Sequence, residues 1–179
     1  MTEPLIDFST LIPIDFTVVS ESYSRYRLDD GTILLAKLVL TKIFKVPNPD
    51  PSTEVQYQSA SSFVLTSISP VELRGKPTVP MPDVSKLGEK DSVTVQIKAE
   101  SEPWNQYQLP DGTSMFPRIR INGARRTQVF SGDGDPVYII SSQTNGFRLD
   151  KDLVYHPMLG AQQIPPQRSQ SIPEDSHKP

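Results

Sequence analysis

The stretch Tyr26-Arg27-Leu28-Asp29-Asp30-Gly31-Thr32 returns later in the chain as Tyr107-Gln108-Leu109-Pro110-Asp111-Gly112-Thr113. The two copies are 81 positions apart, and the same shift without a gap aligns other residues of similar type. These further pairs are Glu21 with Glu102, Tyr23 with Trp104, Lys37 with Arg118 and Tyr57 with Tyr138. The spacing predicts an internal duplication.

A period of 81 residues is well above the roughly 20 to 50 residues of solenoid and propeller repeats, so each copy should be a whole small domain. The chain of 179 residues is long enough for two such domains. The predicted parts are an N-terminal arm at 1–14, a first β domain at 15–73, a proline-rich linker at 74–90, a second β domain at 91–156 and a disordered tail at 157–179. We expect the apolar residues of the arm to lie on a domain or on a partner, with packing within the chain preferred.

Each copy contains about five segments typical of β-strands. Asp-Gly is a strong hairpin signal, because glycine supplies the positive φ that a tight turn needs. The residues from Thr32 to Val46 that follow the first turn alternate over a long stretch and predict a bent strand; a helix over 33–44 is the competing interpretation. The pattern predicts an all-β protein of two tandem small β-barrel or roll domains, and it resembles the start of SH3-like and Sm-like barrels.

The second long strand differs from the first in its basic residues. Arg118 and Arg120 fall on one face at period two, and Arg125 and Arg126 follow the pair Asn122-Gly123. Read alone, Asn-Gly is a hairpin turn; aligned with Thr41-Lys42 of the first copy it is a bulge or bend, which we favour. The four arginines are the candidate binding residues, although no aromatic residue is expected among them and an ordinary solvated face has the same pattern.

The sequence carries no catalytic, cofactor or metal signature. There is no cysteine, and the two histidines, His156 and His177, lie at the edge and near the end of the predicted tail. The carboxylates Asp30 and Asp111 are predicted to be exposed turn residues with ordinary pKa values, beside Gly31 and Gly112. Asp133 and Asp135 stand in a glycine-rich loop without the further ligands of a calcium site, so we expect a turn there too.

Four aromatic residues recur before the two Asp-Gly turns and are predicted to pack in cores or at an interface: Tyr23, Tyr26, Trp104 and Tyr107. A net charge of −3, no basic leader and no long apolar run favour a cytoplasmic protein outside the membrane. The leading hypothesis is a non-enzymatic structural or adaptor protein that binds a protein partner or copies of itself. The alternative is nucleic-acid binding through the arginines, and an enzyme acting on small molecules comes third.

Overall fold

A computed structural model describes residues 10–47, 50, 52, 54–152 and 154–158. The described chain is all-β, with short 3-10 turns at Val71–Leu73, Val84–Lys86 and Glu89–Asp91 and no α-helix. The strands are β1 (Ile12–Ile14), β2 (Thr17–Ser20), β3 (Ser24–Leu28), β4 (Ile33–Lys45), β5 (Tyr57–Ile68), β6 (Ser92–Val95), β7 (Ile97–Ser101), β8 (Gln106–Gln108), β9 (Ser114–Phe130), β10 (Pro136–Leu149) and β11 (Tyr155–Pro157). The all-β prediction is confirmed, and the helix considered for 33–44 is instead β4. Among these residues no helix has the length and apolar character needed to cross a bilayer.

The strands form two antiparallel sheets. Sheet A has the order β1-β4-β3-β7, with β5 on the other side of β4. Sheet B has the order β11-β10-β9-β8-β2, with β6 also on β9. The long strands β4 and β9 are therefore the central members, and the shorter strands line up along them.

Each sheet takes one strand from the other half of the chain. Strand β7 pairs with β3 in sheet A, and β2 pairs with β8 in sheet B. The registers are related by the same 81 positions: Val18 lies opposite Tyr107, and Ala99 lies opposite Tyr26. The closed barrels predicted from the long bent strands are not found among the described strands, because this exchange produces two interlocked open sheets. The boundaries drawn around 74–90 stay a prediction.

Both long strands carry a bulge at the same relative place. In β4 the register shifts between Leu40 and Lys42, which leaves Thr41 without an opposite residue in β5, although its Oγ1 atom donates to the Ala60 carbonyl at 3.2 Å. In β9 it shifts opposite Ser141 and Ser142, which leaves Asn122 as the extra residue. The preference for a bulge over a hairpin at Asn122-Gly123 is confirmed, since β9 continues through it.

The ends of the chain extend the same sheets. Strand β1, the last part of the predicted arm, pairs with β4, and Leu11 before it is buried. Strand β11 pairs with the end of β10 and includes Pro157, where the disordered tail was expected to begin. Residues 1–9 and 159–179 lie outside the described residues, and the rest of the arm and tail predictions falls there.

Side chains of the two sheets form two hydrophobic cores. Each core contains residues from both halves of the chain. The first includes Tyr26, Leu34, Ala36 and Leu38 together with Ile119, Ile121, Ala124 and Tyr138. The second includes Leu40 and Ile43 together with Tyr107, Leu109 and Met115. Neither half encloses a core by itself.

Each long strand has one edge on which two short strands pair and leave a gap in the backbone hydrogen bonds between them. Side chains fill this gap. Strand β4 pairs on that edge with β3 as far as Ala36 and with β1 only from Ile43. In between, the Leu40 amide donates to the Tyr107 hydroxyl at 3.2 Å, and Asn105 Nδ2 donates to the Leu38 carbonyl at 2.7 Å. Side chains of the other half thus satisfy backbone groups that would otherwise be buried without partners.

The gap in β9 is filled in the same way. The Ile121 amide donates to the Tyr26 hydroxyl at 3.1 Å, and Ser24 Oγ lies 3.4 Å from the Ile119 carbonyl. The two tyrosine hydroxyls then donate to carboxylates, Tyr26 to Glu102 at 3.0 Å and Tyr107 to Glu21 at 2.7 Å. Burial and the neighbouring carboxylates raise the pKa of both tyrosines, so the hydroxyl protons stay bound.

We predict that Tyr26→Phe and Tyr107→Phe each lower the free energy of unfolding by about 1–3 kcal/mol, since each leaves a buried amide without an acceptor. Chemical denaturation monitored by circular dichroism measures the loss. Tyr23→Phe is the matched control, because Tyr23 is 47% exposed and its contact with Lys37 uses the ring. A loss no larger than that of the control would contradict the role of the hydroxyls.

Candidate functional site

The outer face of sheet B collects three of the four candidate arginines. Residues directly opposite in an antiparallel pair point to the same face of the sheet. Arg118 lies opposite Asn145, Arg120 opposite Gln143 and Arg125 opposite Ile139, and these three residues of β10 alternate along one face. The bulge at Asn122 is what brings Arg125 back onto the face of Arg118 and Arg120.

Arg126 is separated from the other three arginines. It lies opposite Tyr138, whose ring belongs to the first core, so it points to the inner side of sheet B. Its Nη1 atom is 2.9 Å from Asp30 Oδ2 in the first Asp-Gly turn. The predicted group of four is therefore a surface group of three and one arginine held in an internal ion pair.

Arg118 stacks on Trp104. The guanidinium carbon is 4.0 Å from the ring centroid, a close cation-π contact. Arg118 Nε is buried and has no hydrogen-bond partner among the described residues. Next to it, Arg120 Nε is 3.1 Å from Glu102 Oε2, the carboxylate that also accepts from Tyr26.

An aromatic cluster continues from Trp104 across the strands. The Trp104 ring contacts the Phe147 ring edge-on, with 5.1 Å between the ring centroids. Phe147 in turn stacks with Phe116 at 4.8 Å and with Tyr155 at 5.3 Å between centroids. Tyr155 is 63% exposed and Trp104 38% exposed. We name the whole surface the aromatic–arginine face; its residues are Trp104, Phe116, Arg118, Arg120, Arg125, Phe147 and Tyr155.

The expectation that no aromatic residue accompanies the arginines is wrong. Phe116 precedes Arg118 by two positions and so shares its face, a signal present in the sequence. Trp104 and Phe147 reach Arg118 and Phe116 only through strand pairing. Of the four recurrent aromatic residues, Tyr26 and Tyr107 are fully buried, whereas Tyr23 and Trp104 are partly exposed.

The two Asp-Gly turns touch tyrosines of the opposite half. Gly31 and Gly112 both have φ of +89°, which explains glycine at each turn. Asp30 accepts hydrogen bonds from the Tyr138 hydroxyl at 2.9 Å and from Arg126, and Asp111 accepts one from the Tyr57 hydroxyl. Both turns therefore connect the halves, although Asp111 and Gly31 remain exposed and Asp30 is only half-buried.

The prediction of ordinary pKa values for these carboxylates is wrong. Burial alone would raise the pKa of Asp30, but hydrogen bonds from Thr32, Tyr138 and Arg126 outweigh it and lower the pKa. For Asp111, bonds from Tyr57 and Thr113 outweigh burial in the same way. The pKa of each tyrosine partner, Tyr57 and Tyr138, rises to about 12, chiefly because of burial.

A small cleft lies beside the second core and contains His156. Its volume is about 190 Å³, and its lining includes Tyr57, Met115, Arg148 and His156. Glu54 forms an ion pair with Arg148, and its Oε1 atom is 2.8 Å from His156 Nδ1. Ligand pockets usually have about 300–1,000 Å³, and both Arg148 and His156 already contact a carboxylate.

The described residues contain no group of three His, Asp or Glu side chains arranged to hold a metal ion. Asp135 pairs with Arg74 at 3.2 Å, and Asp133 accepts from Ser131. Gly134 between them has φ of +87°, and its amide donates to the Ser131 carbonyl. The aspartates of this loop thus form a turn that holds the predicted linker through Arg74.

Comparisons of the chain with protein-family models, with curated proteins and with solved structures found no match.

We predict that the stability of the protein decreases in acid because of Asp30 and Asp111. Their folded pKa values lie below the unfolded value of about 3.9, so the stabilisation is complete above that pH and is lost as the pH falls through the folded pKa. Unfolding free energy measured against pH should fall less steeply in Asp30→Asn than in the unchanged protein. Asp29→Asn, at the exposed neighbouring position, is the control; equal slopes in all three would contradict the assignment.

Proposed function

We propose that this protein is a non-enzymatic structural or adaptor protein that binds a partner protein through the aromatic–arginine face of sheet B. The observation that carries the proposal is the Arg118 side chain stacked on the exposed Trp104 at the end of an aromatic cluster. The internal duplication into two β units and the cytoplasmic location stay predictions within this proposal.

The composition of the face favours a protein partner. Aromatic residues and arginine are enriched where partner proteins bind and contribute most of the binding energy there. Trp104 and Tyr155 offer large apolar surfaces that are already held by neighbouring rings, so little side-chain freedom is lost on binding. Asn145 and Gln143, opposite Arg118 and Arg120, add neutral hydrogen-bonding groups on the same face.

Charge indicates an acidic partner segment. The face has three arginines, and one of them, Arg120, pairs with the carboxylate of Glu102. The arginines therefore leave an excess of positive charge on the face. Arg118 is half-buried, and a guanidinium group forms strong hydrogen bonds with carboxylates. A partner with glutamate or aspartate beside apolar side chains satisfies both the arginines and the rings.

Sheet A offers an internal comparison. At the positions 81 residues earlier, Tyr23 and Lys37 form a longer cation-π contact of 5.9 Å. Leu35 and Thr66 occupy the places of Phe116 and Phe147, so the aromatic cluster belongs to sheet B alone. The basic residues near that face, Arg25 and Arg27, share the carboxylate of Glu100 at 2.8 and 2.7 Å.

Nucleic-acid binding is the second candidate, because aromatic rings beside arginines can stack bases. Three observations make it the weaker one. The net charge is −3, and the arginines Arg120 and Arg126 are paired with carboxylates. The rings also stack mainly on one another, which leaves few open ring faces for successive bases.

Trp104 is the single tryptophan of the chain, so intrinsic fluorescence reports directly on the face. We predict that a synthetic peptide of alternating glutamate and leucine changes Trp104 emission saturably, and that Arg125→Ala and Arg120→Ala together weaken the affinity about tenfold or more. Raising the salt concentration should weaken binding as well. The measurement is a fluorescence titration in low salt.

Two controls separate this face from general charge effects. Lys37→Ala removes the cation at the matched position of sheet A and should leave the affinity unchanged. A peptide of alternating lysine and leucine should not bind. An oligothymidine strand that changes Trp104 emission more strongly than the acidic peptide would replace the proposal by nucleic-acid binding. No response to either probe would overturn both.

A further inference from the structure

Strand β5 is a long open edge of sheet A. Its 12 residues pair with β4 on one side, and no strand of the described chain lies on the other. The strand contains no charged residue and no proline from Tyr57 to Ile68. Edge strands are usually protected from pairing by lysines, prolines or a covering segment, and β5 has none of these among the described residues.

The corresponding strand of sheet B is partly covered. Strand β11 pairs with β10 over Phe147–Leu149, the part of β10 that matches the end of β5. The residues of the first half that correspond to β11 take another course: Gly75 donates to the Gly134 carbonyl, and Thr78 donates to the Phe130 carbonyl. Residues 74–78 therefore lead away from β5 and leave its edge open.

Apolar side chains follow the open edge on the outer face. Val64 is 47% exposed and Ile68 is 56% exposed. Leu35 and Val39 of β4 lie beside them across the ladder, opposite Thr66 and Ser62, and Lys37 lies between these two, opposite Val64. A strand added at β5 would cover this apolar strip and also use the free backbone groups.

We propose that the strand added there is β5 of a second copy of this chain, antiparallel about a twofold axis at Val64. Residues directly opposite each other in paired strands point to the same face of the sheet. Only some registers therefore place the inward side chains of one copy beside the inward side chains of the other. With Val64 opposite its own copy, residues of similar type meet along the strand. The remaining pairs are Ser62 with Thr66, Ala60 with Ile68, Phe63 with Leu65 and Ser61 with Ser67.

This register is self-complementary in polarity. Apolar residues lie opposite apolar residues, and hydroxyl residues lie opposite hydroxyl residues that pair well across strands. No charge opposes a like charge, because the strand has none. A twofold contact uses the same surface on both copies and closes after two chains, so it gives a dimer rather than a filament.

Light scattering coupled to size-exclusion chromatography tests the dimer with the full chain. We expect the unchanged protein to elute as a dimer that dissociates on dilution, and Val64→Glu to elute as a monomer at the same concentrations. Within one chain the new glutamate faces Lys37 across the ladder, which favours the fold, whereas across the twofold axis two glutamates repel. Circular dichroism shows whether the fold is kept.

Val93→Glu is the matched control. Val93 is exposed to a similar degree, lies on β6 of sheet B, and faces a basic residue, Arg126, across its ladder. It should remain a dimer. Mixing Val64→Glu with Val64→Lys should restore a dimer, because opposite charges then meet at the axis.

Cross-linking locates the axis. The chain has no cysteine, so Val64→Cys carries a single thiol. Opposite residues of antiparallel strands have Cβ atoms about 4.5–5.5 Å apart, close enough for oxidation to link two copies, while Val93→Cys should not link. A monomeric unchanged protein at all concentrations would overturn the proposal, and so would a dimer that persists in Val64→Glu or links equally through Val93→Cys.

Discussion

The buried hydroxyl groups of Tyr26 and Tyr107 hold the two halves of the protein together. Each accepts from a backbone amide in the gap of a long strand and donates to a glutamate, and each crosses from one half to the other. Without them β4 and β9 would have unsatisfied amides at their centres, where neither neighbouring short strand reaches. The bulges at Thr41 and Asn122 immediately follow Leu40 and Ile121, whose amides donate to the two hydroxyls. The gap, the bulge and the tyrosine hydroxyl therefore occur together in each long strand.

The cores and buried hydrogen bonds constrain the inward residues of the two sheets but leave the residues of the outer faces free to differ. Inward positions of the two halves are close equivalents, because the cores and hydrogen bonds require matching shapes on both sides. The outer faces are free of that requirement. Sheet B has an aromatic cluster with arginines, while sheet A has an uncharged edge strand and an aliphatic strip. The two proposed binding surfaces are therefore on different sheets and can be occupied together.

Local features of the fold could be predicted from the sequence. The Asp-Gly turns depend on the positive φ of Gly31 and Gly112, and the long strands depend on alternation, both of which are properties of a few neighbouring residues. The bulge at Asn122 was predictable because Thr41 occupies the matching place in a strand. These features need no knowledge of distant partners.

The exchange of β2 and β7 was not predictable in this way, since a short strand shows the same alternation whether it pairs within its half or across. The same limit applies to the candidate site. Sequence periodicity placed Arg118 and Arg120 together, but a bulge of one residue decides that Arg125 joins them and Arg126 turns towards Asp30. The stacking of Trp104 on Arg118 depends on how β8 sits beside β9, which only the pairing of the strands reveals.

Cores built from both halves affect how the chain acquires its structure during synthesis. The first core needs residues as far as Tyr138, and the second needs Met115 as well as Ile43. The apolar strands of the N-terminal half are therefore made before the residues that cover them. The second core can close only after β9 is made, and the first only after β10. Both ladders that join the halves among the described strands pair residues far apart in sequence, and such nonlocal pairing folds slowly. The uncharged β5 is made before this point, so the growing chain exposes it at the stage when contacts with other chains compete most directly with folding.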